Sequence, residues 1–223
     1  MSYVVIKNKP KRTFWNVTLW LVIINVVFYL AVIILMNVVG GDVFNDIALQ
    51  PDAILHGEKL WTIFTSMFMH DPSIFGFHLF VNMMSLVFLG GFIEKIIGSK
   101  RFITIYLISG IVAALFFVSL AYLFNQDLSI AAVGASGAIF GIAGLAAVLV
   151  PKMKVYILFI PIAMPMWFGI IFMLGIMWLA SGFFGLSIAN TAHLGGFLTG
   201  LVYGFYLRIK YKRQTMVISS HFR

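Results

Sequence analysis

Ser136 and His193 are the residues whose types and placement could do chemistry. The serine lies in Gly134-Ala135-Ser136-Gly137 and the histidine in Ala192-His193-Leu194-Gly195-Gly196, in two separate apolar segments. Each precedes a basic residue that marks a membrane edge: Lys152 follows Ser136 by 16 positions, and Arg208 follows His193 by 15. If both stretches are helices running the same way, a rise of ~1.5 Å per residue lifts both side chains roughly 23 Å above the inner boundary of an apolar layer about 30 Å thick. A hydroxyl and an imidazole at one depth are the parts of a nucleophile and its base. Taken singly they say less. His193 alone fits an interhelical hydrogen bond as well as a reaction, because an ionisable group in an apolar span has one use or the other. Ser136 alone fits the small-residue composition that close helix packing selects.

A second pair belongs beside the first. His78 and Asn82 are four apart and share a helix face, with Lys95 at the inner end of the same stretch. Asn82 stands 13 residues above that lysine, or about 20 Å on a helix, close to the depth of Ser136. An amide and an imidazole there, with the backbone N–H of Ser136 at a helix start, could donate to an oxyanion. The alternative, that both side chains only satisfy backbone carbonyls at a loop junction, fits those two residues equally well. Asn25 and Asn37 receive only a structural reading, and His56 and His221 none.

The elements that must position these groups are membrane helices. The chain has 223 residues, 62% of them hydrophobic and only 10% charged, with mean hydropathy +1.05, so it has too little polar surface to cover a soluble globule. Six apolar stretches are expected to be helical spans: Phe14 to Val39, His78 to Ile97, Phe102 to Phe124, Ser136 to Val150, Val155 to Leu179, and Ile188 to Leu207. The first is too long for a signal-peptide core and is read as a retained helix. The fourth is short of the ~20 residues a full span needs, so it should begin below the outer surface where a loop dips in to meet it. Glycines recur at 137, 141 and 144 in the fourth stretch and at 196, 200 and 204 in the sixth, two seams that would let backbones approach closely enough for a short Ser to His contact.

Charge orients the bundle. With the N-terminus inside, every lysine and arginine except Lys59 falls on the cytoplasmic side, as the positive-inside rule requires. The +8 net charge is thereby spread over short loops and tails that meet anionic headgroups, and nucleic-acid binding is not expected. The carboxylates fall outside except Glu94, near the inner edge; none is at the depth of His193. The segment from Gly40 to Phe77, with Trp61, Phe64, Met67, Phe68 and Met69, reads as a partly structured element in the outer interface. There is no cysteine, which excludes disulfides, thiolate chemistry and cysteine-bound metals. His70, His78 and His193 have no carboxylate or thiolate at their level, so no metal or cofactor is expected.

In order along the chain, His78-x-x-x-Asn82, Leu89-Gly90-Gly91 with Glu94-Lys95, Gly134-Ala135-Ser136-Gly137 and Ala192-His193-Leu194-Gly195-Gly196 resemble the rhomboid intramembrane serine proteases, from about Trp61 to Leu207. The fold this implies is an all-α membrane protein: a six-transmembrane-helix rhomboid-type bundle over residues 14–210, with a membrane-associated loop between the first two helices and cytoplasmic tails at 1–13 and 211–223. The activity it implies is endopeptidase cleavage of transmembrane substrates by a Ser-His dyad without an acid. Ser136 would be the nucleophile, His193 the base, and His78, Asn82 and the Ser136 amide the oxyanion hole. Two positions depart from the family pattern: Thr62 stands where many members have arginine after Trp61, and Phe140 where some stack a tyrosine on the histidine. Pro161 and Pro165, ahead of Trp167, fit that pattern in the fifth helix and would make it a movable wall for substrate entry, or a static kink. The expected partners are transmembrane protein substrates and membrane lipids, and the expected setting is a prokaryotic plasma membrane with both termini cytoplasmic; oligomeric state is left open. The rivals are a weak or inactive rhomboid-like protein that escorts clients, and a small transporter, which the lack of internal symmetry disfavours.

Overall fold

The computed structural model of the chain describes residues 16–40, 42–72, 76–125, 128–157, 160–184 and 189–222. The cations expected at Lys7, Lys9, Lys11 and Arg12, along with Asp127, Ile188 and Arg223, lie outside the described residues. Among those described, four helices are long and apolar enough to cross a membrane. The first is α1 (Val17–Val38). The second runs unbroken from Phe77 to Ile97 and consists of α5 (Phe77–Ser85), one π turn (Leu86–Gly90) and α6 (Gly91–Ile97). The others are α7 (Ser99–Phe124) and α9 (Met166–Phe184). Two further helices hold the chemistry. The 14-residue α8 (Ser136–Leu149) is buried along nearly its whole length, and the 21-residue α10 (Asn190–Lys210) lies against it.

α8 is the axis of the molecule, and glycine makes it so. A Cβ on Gly196 would strike the Gly137 carbonyl oxygen, one on Gly200 the Gly141 carbonyl oxygen, and one on Gly204 would come 2.8 Å from Val148. Contacts that climb in step along both sequences mean that α8 and α10 run parallel, in backbone-to-backbone contact. The glycines of α8 do not all face that seam, as a single-stripe reading would have it. A Cβ on Gly137 or Gly141 would first meet Ala113 or Ser109 of α7 and then the Ala192 or Gly196 carbonyl of α10, whereas one on Gly144 would run straight into the Phe197 carbonyl of α10. α8 is thus clamped from two sides.

At the opposite end from Ser136, Glu94 closes the bundle. Its carboxylate accepts from the Val17 N–H at 2.9 Å, the Thr18 N–H at 2.9 Å, the Thr18 hydroxyl at 2.6 Å and the Ser99 hydroxyl at 2.5 Å. One carboxylate therefore satisfies the unpaired donors at the start of α1 and complements that helix's dipole, while tying α1 to α6 and α7. Asn16 adds its own cap, accepting from the Leu19 N–H. Asn25 and Asn37 donate to carbonyls one turn back, Leu21 and Ile33.

Between α1 and α5 the described residues form the short helices α2 (Val43–Ile47), α3 (Pro51–Leu55) and α4 (Thr62–Thr65), with Met67, Phe68 and Met69 buried after them.

The start of the expected fifth span from Val155 to Leu179 is corrected by the structure, which places a short hairpin ahead of the helix in an otherwise helical fold. Lys154–Ile157 and Ile160–Pro165 are antiparallel strands, β1 and β2, and α9 begins only at Met166. Val155, Ile157, Ile160 and Ile162 favour a pleated surface, and a proline at 161 and again at 165 prevents helix on that stretch. Both prolines therefore precede the helix and cannot hinge it. Residues 211–223, expected as a tail, carry α11 (Lys212–Ser220), which buries Thr215 and Ile218, and Phe222 meets Phe92 edge-to-face at 5.7 Å.

Candidate active site

Ser136 is the first residue of α8 and His193 the fourth of α10, so the parallel seam brings the two together at its open end. The serine Oγ lies 2.8 Å from His193 Nε2. The imidazole is 4% exposed and stacks on Phe140 with ring centroids 4.7 Å apart, one turn below the serine on the same helix. Its Nδ1 has no hydrogen-bond partner among the described residues, so ring packing, not a carboxylate, fixes the histidine.

The loop entering α8 is built around Gly134. Its φ of +118° suits glycine alone, and a Cβ there would lie 2.9 Å from His78 Cε1 and 3.0 Å from His78 Nε2. Ser136 Oγ is 3.7 Å from that same point, so His78 Nε2 and the serine oxygen flank one small space. The Asp71 N–H donates to His78 Nδ1 at 3.3 Å. A neutral ring that accepts at Nδ1 carries its proton on Nε2, which makes the nitrogen beside the serine a donor. Asn82 is buried behind His78 and donates one amide hydrogen to the His78 carbonyl at 2.9 Å. Its second amide hydrogen is the one available to a ligand. Ser136, His193 and His78 are thus brought to one place, with Asn82 one turn along α5 from His78.

The segment carrying Ser136 is also stitched to the long loop. Leu49 and Ala132 exchange backbone hydrogen bonds at 3.1 and 2.8 Å, and the Gly134 N–H donates to the Ser66 carbonyl at 2.9 Å. That loop is braced where Thr62 departs from the family pattern. Lys59 reaches Asp46 at 2.8 Å and the Asn45 carbonyl at 3.1 Å, and the Trp61 indole N–H donates to the Asp46 carbonyl at 2.8 Å. Thr62 itself is fully buried, its hydroxyl donating to the Lys59 carbonyl at 2.7 Å. Sequence reasoning singled out Lys59 and His70 but gave neither a structural role. His70 is fully buried with its ring edge-on to His78, centroids 5.2 Å apart. Burial, then the neighbouring His78, push His70 down to about 3, so it is neutral. Among the described residues no cluster of three or more His, Cys, Asp or Glu could hold a metal ion.

Comparison with known proteins decides the lineage. Residues 57–210 match the family model of the Rhomboid domain. The chain belongs to the rhomboid family. It is 34% identical over 164 residues to RHOMBOID-like protein 1 of Arabidopsis thaliana, covering 73% of this chain and 38% of that protein. It is 31% identical over 140 residues to Rhomboid protein 1, mitochondrial, of Saccharomyces cerevisiae, covering 61% and 40%. A 92-residue stretch is 36% identical to a protein named Inactive RHOMBOID-like protein 8 of Arabidopsis thaliana, covering 41% and 24%. The chain therefore spans well under half the length of these curated relatives. The matched region runs from the loop before Trp61 to the end of α10, includes His78, Asn82, Ser136 and His193, and leaves α1 outside.

Proposed function

We propose that this rhomboid is an intramembrane serine endopeptidase that hydrolyses a peptide bond in or near the transmembrane segment of membrane-protein substrates. The observation that carries the reading is the 2.8 Å approach of Ser136 Oγ to His193 Nε2 across a seam that admits only glycine. His193, protonated at Nδ1, takes the serine proton at Nε2 as Oγ adds to the scissile carbonyl carbon. The carbonyl oxygen becomes an oxyanion, held by His78 Nε2–H, the Ser136 backbone N–H at the start of α8 and the free Asn82 amide hydrogen. Collapse of this intermediate breaks the C–N bond, and the proton on His193 passes to the leaving amine. Water then adds to the acyl-serine with His193 again as base, releasing the carboxylate and restoring the hydroxyl.

The same reading takes the protein as a six-span bundle, with α8 and α10 as the spans that length and polarity leave out of the four most apolar. α8 is about 21 Å long, short of the ~30 Å apolar layer, and its half-exposed serine would meet water from the outer side. The loop of α2, α3 and α4 rests in the outer interface, both termini are cytoplasmic, and the membrane is a prokaryotic plasma membrane. Transmembrane substrates must unwind at the cleaved bond, since a helix occupies its own carbonyls. Reconstitution with single-span substrates and mass mapping of the products tests the reading. One cut near the substrate's outer end, lost in Ser136→Ala, supports it. Binding without cleavage across a substrate panel would instead favour an escort role, as the relative named inactive allows.

A further inference from the structure

A groove of about 390 Å³ runs along the outside of the bundle at its basic end, lined by Asn16, Thr18, Leu19, Val87, Phe88, Gly91, Phe92 and Lys95. It lies between the first turn of α1 and the π turn of the second helix, far from the serine. Two backbone features create it. The π turn, which inserts an extra residue into the helix, turns Val87 and Phe88 outward, 47% and 67% exposed. Gly91 leaves the floor open: a Cβ there would meet nothing nearer than the Thr18 methyl at 4.0 Å.

Its chemistry is that of a two-part ligand. Leu19, Val87, Phe88 and Phe92 make an apolar wall along the helices, while Lys95, Asn16 and Thr18 gather at the end of the bundle. Lys95 is exposed and forms no ion pair among the described residues. The adjacent carboxylate makes no ion pair with it: Glu94 is 4% exposed, and its oxygens accept from Val17, Thr18 and Ser99. A cation without a counter-ion, set beside an apolar trough on a membrane-facing surface, is complementary to an anionic phospholipid. The phosphate would meet Lys95 and the Asn16 amide, with one acyl chain along Val87 and Phe88.

We propose that this groove binds one anionic phospholipid of the leaflet at the basic end of the bundle, independently of whether the protein cleaves substrates. The test is native mass spectrometry of detergent-solubilised protein titrated with phosphatidylglycerol or with phosphatidylcholine of the same chains. The wild type should retain one phosphatidylglycerol in preference to phosphatidylcholine. Lys95→Gln should lower that preference about fivefold, as loss of one interfacial cation predicts. Gly91→Leu, which fills the floor, should lower retention of both lipids. Lys100→Gln removes an exposed cation of the same end that does not line the groove, and should change nothing. Equal losses in the Lys95 and Lys100 variants, or retention by Gly91→Leu at the wild-type level with its thermal transition intact, would overturn the site. If Gly91→Leu fails to fold, Phe88→Ser, at an exposed wall position, takes its place with the same expected loss.

Discussion

The α8–α10 seam and α9 are both apolar helical regions, yet they are held in opposite ways. In the seam, backbone lies on backbone: Gly196 and Gly200 press on the carbonyls of Gly137 and Gly141. α9 presents Trp167, Phe168, Ile171, Trp178 and Leu179 outward, and its Gly175 and Gly182 have nothing within 4 Å of where a Cβ would go. The seam fixes two reacting groups to within a hydrogen bond, so it must have one geometry. α9 packs on the core through Met166, Ile170, Met173, Leu174 and Met177 by side chains rather than by backbone, and at its far end Asn190 donates to the Ser181 hydroxyl at 2.9 Å. Glycine is thus two different residues here, a contact that nothing can replace and an open position on a lipid-facing helix.

The contrast breaks most readily at its tightest point. Gly200→Val places a side chain on a backbone carbonyl that cannot yield, and should cost upwards of about 3 kcal/mol, read as loss of the cooperative thermal transition in detergent. Gly175→Val or Gly175→Ala in α9 should stay within about 0.5 kcal/mol of wild type. Equal damage at both positions would mean that the seam is not special.

Glu94→Ala comes next. It strands the Val17, Thr18 and Ser99 donors at the far end of the bundle and should destabilise by about 3 kcal/mol. Glu94→Gln, which still accepts, should recover part of that loss.

Phe140→Leu sharpens the comparison within the seam, because it removes the ring under His193 without touching the backbone contact. Proteolytic kcat should fall up to about tenfold, with a small shift in melting temperature and recovery in Phe140→Tyr. A large melting shift at unchanged kcat would make Phe140 a packing residue alone. The smallest effect is expected at the loop: Lys59→Met should soften the segment from α2 to α4 only slightly, seen as faster amide exchange there and masked at high salt.

Hydropathy located the long helices because an apolar run of twenty residues has few alternatives. The spacing of Ser136 and His193 from the following cations placed them together because parallel helices share one rise per residue. What stayed hidden was hidden for physical reasons. The run from Val155 onward is apolar throughout, so its hydropathy reads as one span. Only the alternation of Val155, Ile157, Ile160 and Ile162 and the two prolines signal the hairpin. Glu94 looked like an inner-edge charge because its partners Val17 and Thr18 lie 77 and 76 residues away, a distance no local pattern crosses. The π turn leaves no mark in composition. Lys59 stood out as the lone outer cation, and its role needed the position of Asp46. Asn82 was read as an oxyanion donor or as a partner for a backbone carbonyl, and its two amide hydrogens leave room for both.

The central claim is that Ser136 is a nucleophile activated by His193. Labelling of the purified protein with a fluorophosphonate probe tests it most directly. Stoichiometric labelling of Ser136 in the wild type, absent in Ser136→Ala and lost in His193→Ala with the fold intact, is the predicted result. No labelling of a folded wild-type protein that is open to the probe, or equal labelling in all three, would contradict it.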